Sequence, residues 1–141
     1  YKRQGYGYLC VEGTLDGKPT AVLLTRGDRY AAELLEELRE RTPGIRILCA
    51  GKLPSGTAEK LSLRDALAPA ERRGRGNAYA RGGWWLHDRI LTDTALTVIR
   101  ADVFARRDLL DPRSGTPLPT YRRQRYTGGI GRYFPIFLYI K

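Results

Sequence analysis

The apolar residues of this chain fall in short runs of four to eight, the usual length of β-strands. The first segment, YGYLCVEGTLDGKPTAVLLT, predicts two strands joined at Asp16-Gly17, a dipeptide that accepts the positive φ angles of a tight hairpin turn. Residues 20–25 are mostly apolar, which favours a strand covered on both faces. Residues 45–53, IRILCAGKL, predict a third strand. The chain therefore opens with a sheet.

Residues 28–41 carry the clearest helical pattern. Asp28 is the predicted N-cap, Thr42-Pro43-Gly44 ends the run, and the apolar residues recur at helical spacing, at Ala31, Leu34, Leu35 and Leu38. Five acidic residues and two arginines lie between Asp28 and Glu40. The pattern predicts an amphipathic helix with an acidic outer face, which should point away from any polyanion.

The second half of the chain is less regular. Residues 55–69, SGTAEKLSLRDALAP, contain a short strand or a helix, and residues 69–83 are rich in Gly, Arg and Ala without periodicity, which predicts a loop or linker. WWLHDRIL, TALTVI and YFPIFLYI predict further strands, and the segment from Val103 to Leu110 a short helix. DPRSGTPLP predicts an irregular loop, and Pro135 indicates an edge or a bulge in the last strand.

These elements predict an α+β fold with one clear amphipathic helix and one or two short helices. The strands form either a small antiparallel sheet or a partly open barrel of the oligonucleotide-binding kind. Residues 1–141 make a single domain, or two lobes (1–68 and 84–141) joined by the Gly/Arg-rich loop 69–83. No run approaches the roughly twenty apolar residues of a membrane-spanning helix, and a cytoplasmic location is the default expectation.

Cysteine and histidine are too few for a structural zinc site. Cys10 and Cys49 each lie in an apolar run, which predicts buried thiols, with a single disulfide between neighbouring strands as the alternative. Two cysteines and one histidine cannot complete a four-ligand structural zinc site. We expect no metal and no cofactor.

Charge is the most informative global property, because the net charge of +10 is distributed unevenly. Residues 112–141 contain six basic residues and no acidic one, and residues 71–89 contain five arginines and two acidic residues. A regional basic excess of this kind is typical of a surface that binds nucleic acid or another polyanion.

Two segments combine arginine, glycine and aromatic residues. RRGRGNAYARGGWW (72–85) and TYRRQRYTGGIGRYF (120–134) each place an arginine cluster before a Gly-Gly pair and two rings. Arginines neutralise phosphates, aromatic rings stack on bases, and glycines let backbone N–H groups approach a phosphate closely. The predicted nucleic-acid-binding residues are Arg72, Arg73, Arg75, Tyr79, Arg81, Trp84, Tyr121, Arg122, Arg123, Arg125, Tyr126, Arg132 and Tyr133.

Adjacent tryptophans carry a further expectation. In a strand Trp84 and Trp85 face opposite sides, so a core on one side buries at most one of them and leaves the other as a stacking platform. His87, the only histidine, is a weak catalytic candidate, because in a strand it and Asp88 would also point to opposite faces.

The leading interpretation is a non-enzymatic domain that binds DNA or RNA. Single-stranded or structured substrate is slightly favoured, because no helix with a basic face is visible. The first alternative is a small enzyme, a nuclease or a lyase, acting on an anionic substrate. The second alternative is a basic subunit that docks on an acidic protein partner.

Overall fold

Short strands and short helices make up the fold. A computed structural model describes residues 2–3, 8–118, 121–126 and 133–141, with the backbone alone at 2–3, 121–122 and 126. The strands are β1 (Lys2–Arg3), β2 (Tyr8–Leu15), β3 (Lys18–Thr25), β4 (Arg46–Gly51), β5 (Arg64–Asp65), β6 (Ala78–Ala80), β7 (Gly83–Trp85), β8 (Arg89–Thr92), β9 (Val98–Val103), β10 (Tyr121–Arg122), β11 (Arg125–Tyr126) and β12 (Ile136–Ile140). The helices are α1 (Ala31–Arg41), α2 (Thr57–Lys60), α3 (Ala68–Arg72) and a 3₁₀-helix at Arg107–Leu109.

Six strands form the main sheet, in the order β1-β2-β3-β4-β8-β5. All neighbours pair antiparallel except β3 and β4, which are parallel and are separated in the chain by α1. Three two-stranded sheets, β6–β7, β9–β12 and β10–β11, complete the described strands, which do not close into a barrel. The α+β class is confirmed, with the open sheet as its form. Strand β8 follows the predicted boundary loop (69–83) in the chain, yet it pairs in this sheet with β4, which precedes that loop.

The hairpin β2–β3 is confirmed at the predicted turn, where Asp16 has φ 53° and Gly17 has φ 73°. The prediction that residues 20–25 are covered on both faces is wrong. Ala21 and Leu23 of β3 are buried, while Val22 and Leu24 are exposed beside Val11 and Leu9 of β2. One face of this hairpin packs on the core and the other faces outwards, as is common in antiparallel pairs.

The amphipathic helix α1 is confirmed, with Ala31, Leu35 and Leu38 buried and its acidic side chains exposed. The predicted N-cap is wrong: the cap position is Tyr30, and Asp28 accepts a hydrogen bond from the Ala31 N–H through its backbone oxygen instead. The Asp28 carboxylate lies 3.2 Å from Lys60 Nζ.

Two cores lie on opposite faces of the main sheet. Cys49 and Leu91 pack with α1 in the first core. Ile90, the neighbour of Leu91 on β8, packs with Val103 of β9 and with Phe134 in the second. Because successive residues of a strand point to opposite faces, α1 covers one side of the sheet and β9–β12 lie on the other.

Several local predictions in the second half are wrong. Residues 69–83 are not a structureless loop, because they contain most of α3 and the hairpin β6–β7. The predicted helix from Val103 to Leu110 is only the 3₁₀-helix, and the predicted strand WWLHDRIL is interrupted at residues 86–88. Pro135 immediately precedes β12, whose pairing with β9 has a bulge between Tyr139 and Ile140.

Both cysteines are buried, Cys10 on β2 and Cys49 on β4. Leu23 of β3 lies between them in the register, pairing with Cys10 on one side and Cys49 on the other. The alternative of a disulfide between neighbouring strands is therefore wrong. None of the helices in the described part of the chain has the length and apolar character needed to cross a membrane.

Candidate nucleic-acid interface

The hairpin β6–β7 lies within the first arginine-rich segment. Its two-residue turn is Arg81-Gly82, with φ angles of 52° and 79°, as required by the turn type that joins twisted antiparallel strands. Just before β6, the backbone of Gly76 passes so close to Trp85 that a Cβ atom there would lie 2.5 Å from the Trp85 nitrogen. Glycine at position 76 lets the hairpin close onto the chain that leads into it.

The same hairpin contacts the second predicted segment. Ala78 of β6 forms an antiparallel bridge with Tyr133. The neighbouring Phe134 N–H donates a hydrogen bond of 2.7 Å to the Asn77 carbonyl oxygen. The two aromatic doublets of the sequence, Trp84-Trp85 and Tyr133-Phe134, are thus brought together.

Strand register sorts these rings onto two faces. Tyr79 pairs with Trp84, and their rings meet edge to face at 5.3 Å; Trp84 also lies 5.7 Å from the buried Phe134. This set faces the second core. Because directly paired residues share a face and successive residues alternate, Trp85 and Tyr133 flank Ala78 on the outer face.

The outer face presents a row of three rings. The His87 ring lies stacked at 4.1 Å from the Tyr133 ring and at 5.2 Å, edge to face, from the Trp85 ring. Trp85 is 45% exposed and Tyr133 is 42% exposed. The expectation about the tryptophans is confirmed: Trp84 packs against the second core, and the exposed ring is Trp85 rather than the predicted Trp84.

Asn77 holds the interface together. It is fully buried, and its side-chain nitrogen donates to Asp88 Oδ2 at 2.7 Å and to the Phe134 carbonyl at 3.2 Å. Its side-chain oxygen accepts from the backbone N–H groups of His87 and Asp88. One amide side chain therefore links β6, the turn after β7 and the C-terminal segment.

The prediction that His87 and Asp88 point to opposite faces is wrong. They lie in the bend between β7 and β8, not in a strand, and His87 Nδ1 is 3.3 Å from Asp88 Oδ1. Nδ1 is buried and has no hydrogen-bond partner within the described part of the chain, so His87 and Asp88 are adjacent rather than bonded. Asp88 itself is oriented by Asn77.

The arginines of the first segment flank the hairpin. Arg72 ends α3, and Arg81 lies in the β6–β7 turn; both are exposed. Arg75 Nε donates to Asp102 Oδ1 at 2.7 Å, and Arg73 Nη2 lies 3.8 Å from Asp102 Oδ2. We call the set Arg72, Arg73, Arg75, Arg81, Trp85, His87 and Tyr133 the basic aromatic surface.

An ion-pair network around the buried side chain of Arg89 positions α3. Arg89 of β8 contacts Asp65 of β5 at 2.8 Å and Glu71 of α3 at 2.5 Å. Burial alone would lower the pKa of Arg89, but its hydrogen bonds to Glu71 and Asp65 outweigh burial and raise it. The network therefore fixes the end of α3, from which Arg72 and Arg73 project.

The remaining predicted residues lie on the second segment. Arg123 and Arg125 are exposed on the hairpin β10–β11, whose turn residues Arg123 and Gln124 have φ angles of 50° and 66°. Tyr121, Arg122 and Tyr126 are described in their backbone only, and Arg132 lies outside the described residues.

Sequence reasoning misses two residues that shape the interface, Asn77 and Asp102. It selects Trp84 rather than Trp85 as the stacking ring, because strand alternation shows that one of the two faces outwards but not which one. Asn77 and Asp102 act through distant partners that no local pattern contains. Among the described residues, no group of three His, Cys, Asp or Glu side chains is placed to hold a metal ion.

Comparison with known proteins bears on the fold alone. No family model and no curated protein matches the chain. Among solved structures the chain is similar to a humanized D. rerio TDP2 carrying 14 mutations, with a TM-score of 0.55 and 11% sequence identity. The match covers 95% of this chain and 60% of that one, so this chain spans less than two thirds of the length of its neighbour. A likeness at this identity concerns the fold alone.

Proposed function

We propose that this chain binds single-stranded or structured nucleic acid, DNA or RNA, through the basic aromatic surface. The observation that carries the proposal is the row of rings Trp85, His87 and Tyr133, in which His87 lies between the exposed Trp85 and Tyr133. Three arginines precede the hairpin in the chain and a fourth, Arg81, lies in its turn. Stacking of a base on an aromatic side chain contributes about 1–3 kcal/mol and tolerates any sequence. Arginines beside such rings neutralise the phosphates of the same strand.

The charge balance of the surface supports this binding mode. Arg73 and Arg75 share the single carboxylate of Asp102, so that this group is net positive. Arg72 and Arg81 are exposed and have no ion-pair partner among the described residues. At least these two guanidinium groups are therefore available to phosphates without breaking an ion pair.

A single strand fits this surface better than a duplex read through its major groove. Major-groove recognition by a helix requires a helix with a basic face. In the described part of the chain, α1 exposes acidic side chains and α3 has five residues. Exposed rings instead need unpaired bases, which single strands, loops and ends provide.

The direct test is fluorescence anisotropy of labelled single-stranded DNA and RNA, with duplex DNA for comparison, over a range of salt concentrations. If three or four arginines contact phosphates, the logarithm of the association constant should fall with the logarithm of salt concentration with a slope of about −2 to −3. A flat salt dependence, or no binding at low ionic strength, contradicts the proposal.

Two variants of equal charge locate the electrostatic contribution. Arg72→Gln removes one positive charge from the basic aromatic surface, and Arg41→Gln removes one from the far end of α1, where Arg41 pairs with Glu12 at 2.6 Å. We expect Arg72→Gln to reduce the salt slope by about 0.7 and Arg41→Gln to leave it unchanged. Equal effects of the two variants would indicate binding by net charge alone.

The ring row is tested in the same way. Trp85→Ala should weaken binding by about tenfold, which corresponds to the loss of one stacked base. Tyr139→Ala removes another exposed ring, from β12, and should leave affinity unchanged. If the Tyr139 variant loses as much affinity as the Trp85 variant, the hairpin is not the binding site.

The proximity of His87 and Asp88 favours a second candidate function, hydrolysis of a phosphodiester with His87 as general base. Cleavage of a labelled oligonucleotide would then be abolished by His87→Ala even at protein concentrations that saturate binding. A rate unchanged in that variant removes this candidate. An acidic protein partner is the remaining alternative, and its signature is a pull-down that nuclease treatment does not reduce.

A further inference from the structure

A small cleft opens beside the basic aromatic surface. Its volume is about 170 Å³, and it lies between the chain that enters β6 and the segment after β9. It is lined by Gly74, Arg75, Gly76, Trp84, Val103, Ala105 and Leu110. The volume is well below the roughly 300–1,000 Å³ of pockets that hold drug-sized ligands, so the cleft admits one flat ring system rather than a large ligand.

Two glycines line this cleft. Gly74 has φ +77°, a conformation that disfavours any side chain, and a Cβ on Gly76 would collide with the Trp85 backbone. No side chain therefore projects from these positions of the wall. The lining also includes three apolar residues, Val103, Ala105 and Leu110.

Among the described residues that line the cleft, Arg75 is the one with a charged side chain. Its Nε donates a hydrogen bond of 2.7 Å to Asp102 Oδ1, and its Nη2 donates one of 3.2 Å to the Val103 carbonyl oxygen. These bonds fix the guanidinium group at the wall instead of leaving it to fill the space. Apolar walls, a tryptophan and a held guanidinium group are the chemistry that accepts a planar heteroaromatic ring.

We propose that this cleft takes up one unstacked nucleobase of the bound strand. The inference rests on the proposed function, because the base is delivered by a strand whose phosphates contact Arg72 and Arg73, the two residues that directly precede the cleft wall. The exposed ring row then stacks other bases on the outer face of the hairpin. Affinity should accordingly depend on the presence of bases and not only on backbone charge.

The test fills the cleft and compares two strands. Ala105 is exposed and belongs to no helix or strand, so Ala105→Leu should fold normally while occupying the cleft; Ala95→Leu, in the exposed turn before β9, is the matched control. Ala105→Leu should weaken binding of a short oligothymidine by about tenfold and leave binding of an abasic strand of equal length unchanged. Ala95→Leu should change neither.

The outcomes separate the cleft from the function it rests on. If the unchanged protein binds oligothymidine and Ala105→Leu binds it equally well, the base site is overturned and the proposed function stands. If the unchanged protein binds neither strand, both are overturned.

A second measurement needs no variant. In the unchanged protein, the methyl resonances of Ala105 and Leu110 should shift on addition of adenosine monophosphate and not on addition of ribose 5-phosphate. Equal shifts with both compounds, or none with either, overturn the base site.

Discussion

Asn77 is the residue on which the geometry of the interface depends most. Its amide satisfies a buried carbonyl, a carboxylate and two backbone N–H groups. Asn77→Ala leaves these groups without partners, and we expect it to lower the free energy of unfolding by about 2–3 kcal/mol in urea titrations. Thr94→Ala, at an exposed turn, should change stability by less than about 0.5 kcal/mol. If Asn77→Ala lowers the free energy of unfolding no more than Thr94→Ala does, the Asn77 amide does not hold the hairpin in place.

Cys49 makes stability depend on alkaline pH. Burial raises the pKa of its thiol to about 12. A folded-state pKa above the unfolded value of about 8.5 means that the stability contributed by the neutral thiol is complete below pH ~8.5 and is lost as pH rises towards 12. In urea titrations at pH 7 and pH 10, Cys49→Ala should lose less stability between the two pH values than the unchanged protein, by about 1–2 kcal/mol. Equal losses contradict the assignment.

For single residues, the sequence indicates possible chemistry through the residue type but not through the orientation of the side chain. The arginines, Tyr133 and the single histidine stand out in the sequence. The orientation of His87 towards Asp88 does not, because it follows from a bend that interrupts the strand predicted there. The position of Asn77 at the centre of the hydrogen bonds depends on Phe134, which is 57 residues away in the chain.

The hairpin β6–β7 is the element that builds the candidate site, and Gly76 lets it close. Gly76→Ala places a methyl group 2.5 Å from the Trp85 nitrogen, so the backbone must shift. We expect a loss of about 1–3 kcal/mol in unfolding free energy together with weaker binding of single-stranded nucleic acid.

Gly83→Ala is the matched control for this substitution. It adds the same methyl group at the end of the same hairpin, where no atom lies within 4 Å. Both stability and affinity should stay near those of the unchanged protein. If Gly83→Ala is as damaging as Gly76→Ala, the close approach at Gly76 is not what matters.

Long, periodic elements are the ones that the sequence predicts. Helix α1 has 11 residues with apolar positions at helical spacing, and the hairpin β2–β3 has 16 paired residues with a turn dipeptide between the strands. Both predictions are confirmed. α3 and β6 have five and three residues, too few to show a period. They are stabilised by distant contacts, the Arg89 network and the bridge to Tyr133, which no local window contains. Segment 69–83 therefore looks like a loop from its sequence.

Acidic and basic side chains are distributed unevenly between the two sides of the main sheet. The acidic helix α1 packs on the first core, and the hairpin with its arginines packs on the second, on the opposite side of the main sheet. The sequence predicts the regional excess of charge and the acidic helix face. It does not predict which side of the sheet each segment covers, because that depends on the alternation of Ile90 and Leu91 between two cores.

This separation should give the molecule one face that binds nucleic acid and one that does not. A polyanion is attracted to the arginine-bearing side and repelled by the four exposed glutamates of α1. Binding at both faces would require overcoming that repulsion.

The most direct measurement is an NMR titration of the ¹⁵N-labelled protein with a short oligothymidine of about ten nucleotides, with the Trp85 indole signal assigned from a Trp85→Phe variant. We expect the Trp85 indole N–H and the backbone amides of residues 81–87 and 133 to shift, and the amides of α1 to stay in place. Shifts concentrated on α1, or an unmoved Trp85 indole while the strand is bound, would contradict the account.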